Sequence, residues 1–82
     1  MNEHIMQAYQ AVEQAMQNYN TVLAEHVTAL RAEEAGDVSK VERMIAGTKA
    51  MQDSSGIYLS YAKFVAYGMP ESEDLIEEEL QG

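Results

Sequence analysis

Residues 5–30 read IMQAYQAVEQAMQNYNTVLAEHVTAL, and their apolar residues recur in alternating steps of four and three. Ile5, Tyr9, Val12, Met16, Tyr19, Leu23, His26 and Leu30 make a heptad seam. Ile5, Val12, Tyr19 and His26 occupy one core position; Tyr9, Met16, Leu23 and Leu30 occupy the other. Ala8, Ala15, Val22 and Ala29 form a third row beside the seam. The stripe is therefore wide, as on a bundle helix, and its small residues let a neighbour come close. No Gly or Pro falls between Asn2 and Ala35. Asn2 suits a helix cap, and Glu3 sits in the first turn, where the helix dipole favours an anion. The pattern predicts one helix over 3–35, roughly 50 Å long at 1.5 Å per residue. Such a helix alone is only partly stable in water, so its stripe requires cover.

Outward from this stretch, Gly36-Asp37-Val38 is a short turn, and the next helix is predicted to run back antiparallel. Ser39 with Glu42 reads as a capping box. Val41, Met44, Ile45, Thr48, Met51, Ser55, Tyr58, Ala62, Val65 and Met69 repeat the three–four spacing. Thr48, Ser55 and Ala62 keep the middle of this second seam small, opposite large residues on the first helix. The prediction is a helix over 40–67. Asp53-Ser54-Ser55-Gly56 leaves open a kink or a fresh start near 53–56, although a lone helical glycine costs only about 1 kcal/mol. Ile57 to Tyr67 is apolar nearly all round, which calls for burial on more than one side. One partner helix does not supply that, so self-association or a large protein interface is expected. Gly68-Met69-Pro70 stops the helix. Ser72 can cap a short last segment, with Leu75, Ile76 and Leu80 as its apolar side.

The reading is thus a single all-α domain, 1–82: a long antiparallel helical hairpin with a short acidic C-terminal helix or tail. A helical bundle through dimerisation is expected, because 82 residues supply only a modest core, worth about 3–5 kcal/mol of net stability.

The formal charge is −9, from 14 acidic and 5 basic side chains. It is unevenly spread. Residues 1–35 carry a net −4, residues 36–68 a net +1, and the remainder −6. Direct binding of nucleic acid requires Lys and Arg to displace counterions from phosphates, so it is not expected here. An anionic membrane surface would repel the chain, whereas a basic protein surface would attract it. There is no cysteine, hence no disulfide framework or thiolate metal site. No signal-peptide pattern or membrane-spanning apolar run is read, and a cytoplasmic setting is expected.

Glu71, Glu73, Asp74, Glu77, Glu78 and Glu79 are the acids of residues 71–82. Glu73/Glu77 and Asp74/Glu78 repel at i,i+4, and the last three glutamates oppose the helix dipole. One reading has these carboxylates imitate phosphates in a basic nucleic-acid groove on a target protein, anchored by Leu75, Ile76 and Leu80. The plainer reading is a solubilising acidic end. Five tyrosines and six methionines could form an adaptable binding surface, and Tyr61, Phe64 and Tyr67 are its candidate residues. Core packing is the simpler account of the seam tyrosines.

His26, between Leu23 and Leu30, is read as a seam residue that fixes register by hydrogen bonding, ahead of a pH switch. Neither His26 nor His4 has a second metal ligand three or four residues away, so no metal site is expected. Arg31, Lys40, Arg43, Lys49 and Lys63 are explained by helix pairing and solvation. There is no Cys nucleophile, no glycine-rich phosphate loop and no Ser placed with a His and a carboxylate in a recognisable order, and the paired carboxylates fall on exposed helix surface, so neither an enzyme nor a cofactor is expected. The function expected is that of an acidic, non-enzymatic protein-binding inhibitor or regulator. A phage-type nucleic-acid mimic blocking a restriction, CRISPR or DNA-repair enzyme would be one form. The alternative is a structural homo-oligomeric assembly subunit or small helical chaperone.

Overall fold

A computed structural model of the chain describes residues 2–33 and 37–71. Two helices fill them: α1, Glu3–Ala32, and α2, Val38–Ala66, with no strand among the described residues. The start of α1 and the end of α2 meet along one groove, in which Ile5, Tyr9 and Val12 stand beside Tyr58, Ala62 and Val65. The helices are therefore antiparallel, as the short connection requires.

The ends of the helices follow from capping chemistry. Asn2 Oδ1 accepts from the His4 and Ile5 amides at 2.8 and 3.2 Å, satisfying donors that have no partner within the helix. α1 stops three residues before the predicted Ala35. Glu33 is extended, and its N–H donates to the Leu30 carbonyl at 3.2 Å. Residues 34–36, Gly36 among them, lie outside the described residues. The cap of α2 is Asp37 rather than Ser39. Its carboxylate accepts from the Ser39 and Lys40 amides at 2.9 and 3.4 Å. An anion at this place also meets the positive end of the helix dipole, an advantage that Ser39 lacks. α2 therefore begins at Val38 and takes Ser39 into its first turn.

No break or fresh start occurs at 53–56, where α2 is continuous. Ser55 Oγ donates to the Met51 carbonyl at 2.6 Å and Ser60 Oγ to the Gly56 carbonyl at 2.8 Å. These hydroxyls are satisfied on their own helix, so they do not compete to end it. At the far end the Gly68 N–H donates to the Val65 carbonyl at 2.9 Å and the Met69 N–H to the Phe64 carbonyl at 3.0 Å. This is a Schellman motif, with Gly68 at φ +84°, a conformation that costs glycine nothing. Pro70 then bars further helix. Of the predicted acidic tail only Glu71 is described, and it is exposed. Ser72, Glu73, Asp74, Leu75, Ile76, Glu77, Glu78, Glu79 and Leu80 lie outside the described residues.

The core is a single seam. Only Leu30, Thr48 and Ala66 are buried among the described residues. On α1, the row Tyr9, Met16, Leu23 and Leu30 faces inward as predicted. The row paired with it is Met6, Glu13, Asn20 and Val27, all half-buried. Of the predicted row Ile5, Val12, Tyr19 and His26, only Val12 is half-buried. Ile5 is 43% and Tyr19 52% exposed, and His26 is exposed, so His26 fixes no register within this chain. The predicted α2 seam holds for Val41, Met44, Ile45, Thr48, Ser55, Ala62 and Val65, which lie inward with Leu59 and Ala66, while Met51, Tyr58 and Met69 are exposed. The physical reason is that a wide apolar stripe does not fix where along its arc the neighbouring axis settles.

Candidate protein-interaction face

The rotation of α1 leaves an apolar row outside the seam. Ile5, Ala8, Val12, Ala15, Tyr19 and Val22 follow one another at helical spacing, and all but the half-buried Val12 are exposed. On α2 the matching row is Gly47, Met51, Ser54, Tyr58, Tyr61 and Val65, all exposed except Val65. The two rows lie on the same side of the hairpin. At its open end they join in a shallow groove lined by Ile5, Ala8, Tyr9 and Val12 from α1 and by Ile57, Tyr58, Tyr61, Ala62 and Val65 from α2. Neither row contains a charged residue. The opposite side of α1 is Glu3, Gln7, Gln10, Gln14, Gln17 and Thr21, all exposed. Along these rows the face is apolar, with exposed Arg43 one step beyond Gly47 at the closed end, and the opposite side of α1 is polar.

Tyr9 forms part of the groove. Its hydroxyl donates to Glu13 Oε2 at 2.8 Å. Burial, then the Glu13 hydrogen bond and charge, push its pKa up to about 12 from the ordinary 10.0, and Tyr67 adds to the rise. This bond lets the half-buried carboxylate of Glu13 sit on the seam. Tyr9→Phe is expected to cost about 1 kcal/mol, because it strands that acceptor. The sign with pH follows from the raised pKa. The native state holds the proton that the unfolded chain loses, so the contribution is complete below pH 10 and disappears as pH rises to about 12. Urea unfolding of wild type and Tyr9→Phe across pH 8–12 checks this; a stability gap that stays constant up to pH 12 contradicts it.

Of the three aromatic residues picked out in the sequence, Tyr61 is the most exposed, at 65%. Phe64 is half-buried. Its ring lies 5.7 Å from that of Tyr61, tilted by 52°. Tyr67 is 38% exposed and caps α2. Tyr61 and Phe64 also line a second open cleft on the outer side of α2, with Asp53, Gly56, Ile57 and Ser60. Ile57 and Tyr58, at 75% and 55% exposure, belong to the groove but were not singled out in the sequence; their apolar surroundings at 57–67 were the available signal. The Lys49–Asp53 ion pair, at 3.4 Å, is well exposed and adds little. Among the described residues no group of three His, Cys, Asp or Glu is placed to hold a metal ion. No described helix is long and apolar enough to cross a membrane.

In class, then, this is a two-helix hairpin with an exposed apolar row on each helix. No family model, curated protein or solved structure matches the chain.

Proposed function

We propose that the chain is a non-enzymatic protein-binding module that acts as a subunit of a helical assembly through its uncharged face. The observation that supports this is the contrast between a thin seam and a broad exposed apolar side. Among the described residues α1 and α2 are the only elements, and Ile5, Tyr19, Tyr58 and Tyr61 stay 43–65% exposed, so no third described layer covers these rows. An exposed apolar face of this extent, bordered by polar residues, is characteristic of a protein-interaction surface.

A second reading, an inhibitor that presents acids to a basic nucleic-acid-binding surface, is favoured by the net charge of −9 and the six acids of residues 71–82. Such binding would be steered by charge and weakened by salt. The two readings separate in affinity capture with three baits: wild type, Tyr61→Glu, and residues 1–70. Assembly through the face predicts that partners are lost with Tyr61→Glu and kept by 1–70. The mimic predicts loss with 1–70 and elution in high salt. Partners kept by both altered baits would overturn the proposal and its alternative together.

A further inference from the structure

We infer that the uncharged face closes on a second copy of the chain, the two hairpins antiparallel, with α1 over α1 and α2 over α2. This rests on the assembly reading above and names its occupant.

The first reason is the allocation of residues on α1. The inward row Met6, Glu13, Asn20 and Val27 is the less apolar one, and Asn20 Oδ1 is buried there without a hydrogen-bond partner among the described residues. Ile5 and Tyr19, more apolar than Glu13 and Asn20, face out. A hairpin complete in itself would be more stable with the opposite allocation. The second reason is area. Ile5, Tyr19, Val22, Met51, Tyr58 and Tyr61 are 40–65% exposed, on the order of 700 Å² together, close to the share each partner gives to a standard interface. The third is charge. Two chains of −9 repel, and these rows let them meet without burying like charges.

Orientation follows from size. Bulk is concentrated at the open end, in Ile5, Tyr58 and Tyr61, and small residues toward the closed end, in Gly47 and Ala29. A two-fold axis along the hairpin would stack bulk on bulk and leave a gap at the other end. A two-fold across the hairpin, through the middle of both helices, sets Ile5 level with the other copy's Ala29, Ala15 with its Tyr19, and Tyr58 with its Gly47. Large then meets small along both helices. Tyr61 comes level with the other copy's Arg43, a cation over an aromatic ring. Gly47 gains a reason in this arrangement. A Cβ there would meet nothing within 4 Å in its own chain, yet the glycine costs α2 about 1 kcal/mol relative to alanine. A tyrosine ring laid on it makes use of the missing side chain.

The chain has no cysteine, so single thiols report the geometry cleanly. Ser54→Cys and Met51→Cys sit beside the proposed axis, Tyr61→Cys about 25 Å from its counterpart along the helices, and Gln14→Cys on the polar side. Light scattering is expected to give twice 9.1 kDa at micromolar concentration, with circular dichroism confirming helicity in every variant. A short bis-maleimide is expected to link Ser54→Cys or Met51→Cys copies at least an order of magnitude more than Tyr61→Cys or Gln14→Cys. A monomer at 9.1 kDa up to high micromolar concentration overturns the second copy, while the face remains open to a different protein. A dimer linked through Gln14→Cys overturns the face, and one linked through Tyr61→Cys overturns the antiparallel arrangement.

Discussion

Leu30→Ala is expected to lower the unfolding free energy by about 2–3 kcal/mol, the lower part of the range for a buried leucine. Leu30 is the only large apolar side chain among the described residues that is buried, at 7% exposure. It lies in the last turn of α1, where the inward row ends beside the connection, and its carbonyl accepts the Glu33 N–H that stops the helix. Truncation removes three buried carbon atoms from a seam that has no second layer to close over the gap. Against a total of about 3–5 kcal/mol for a core of this size, the loss would leave the chain marginal. The midpoint of thermal unfolding should fall by on the order of 10–20 °C. Gln17→Ala, on the exposed polar side, should stay within about 0.5 kcal/mol of wild type. A Leu30→Ala midpoint indistinguishable from that of Gln17→Ala would contradict the single-seam core.

The second large effect has the opposite sign. Asn20→Leu combined with Thr48→Val is expected to stabilise the hairpin by about 2 kcal/mol. Asn20 Oδ1 and Thr48 Oγ1 are buried and have no hydrogen-bond partner among the described residues. Each has lost its hydration without recompense, a cost of about 1–3 kcal/mol per group. Thr48 is 8% exposed, and valine has its shape, so that change removes the hydroxyl alone. Asn20→Leu places an apolar side chain in a half-buried row that already contains Met6 and Val27. Denaturant unfolding of both single variants and the double, at one fixed protein concentration, measures the gain and any coupling between the sites. A double variant less stable than wild type would show that these polar atoms have partners that matter, as a register-fixing asparagine does in a coiled coil.

How much of the face could be read beforehand turns on the same rows. The aromatic richness of 57–67 was legible, and it drew attention to Tyr61, Phe64 and Tyr67. Ile57 and Tyr58 were not separated from the core, because Tyr58 has the right spacing for the seam. Ile5 and Tyr19 share that seam spacing. Periodicity ranks positions by apolar character, and on a helix whose apolar arc spans three rows that ranking does not say which rows a single neighbour covers.

The order of residues alone determined that this chain makes two long helices with only a few residues between them. A three–four repeat without Gly or Pro from Asn2 to Ala35 settles the first, and Gly68-Met69-Pro70 ends the second, because local geometry and capping are short-range matters. Only the tertiary structure decided how each helix is turned about its own axis. That angle depends on how two ridged surfaces seat against each other across many residues, a long-range balance. It places Met6, Glu13 and Asn20 inside and leaves Ile5, Tyr19 and Tyr58 outside.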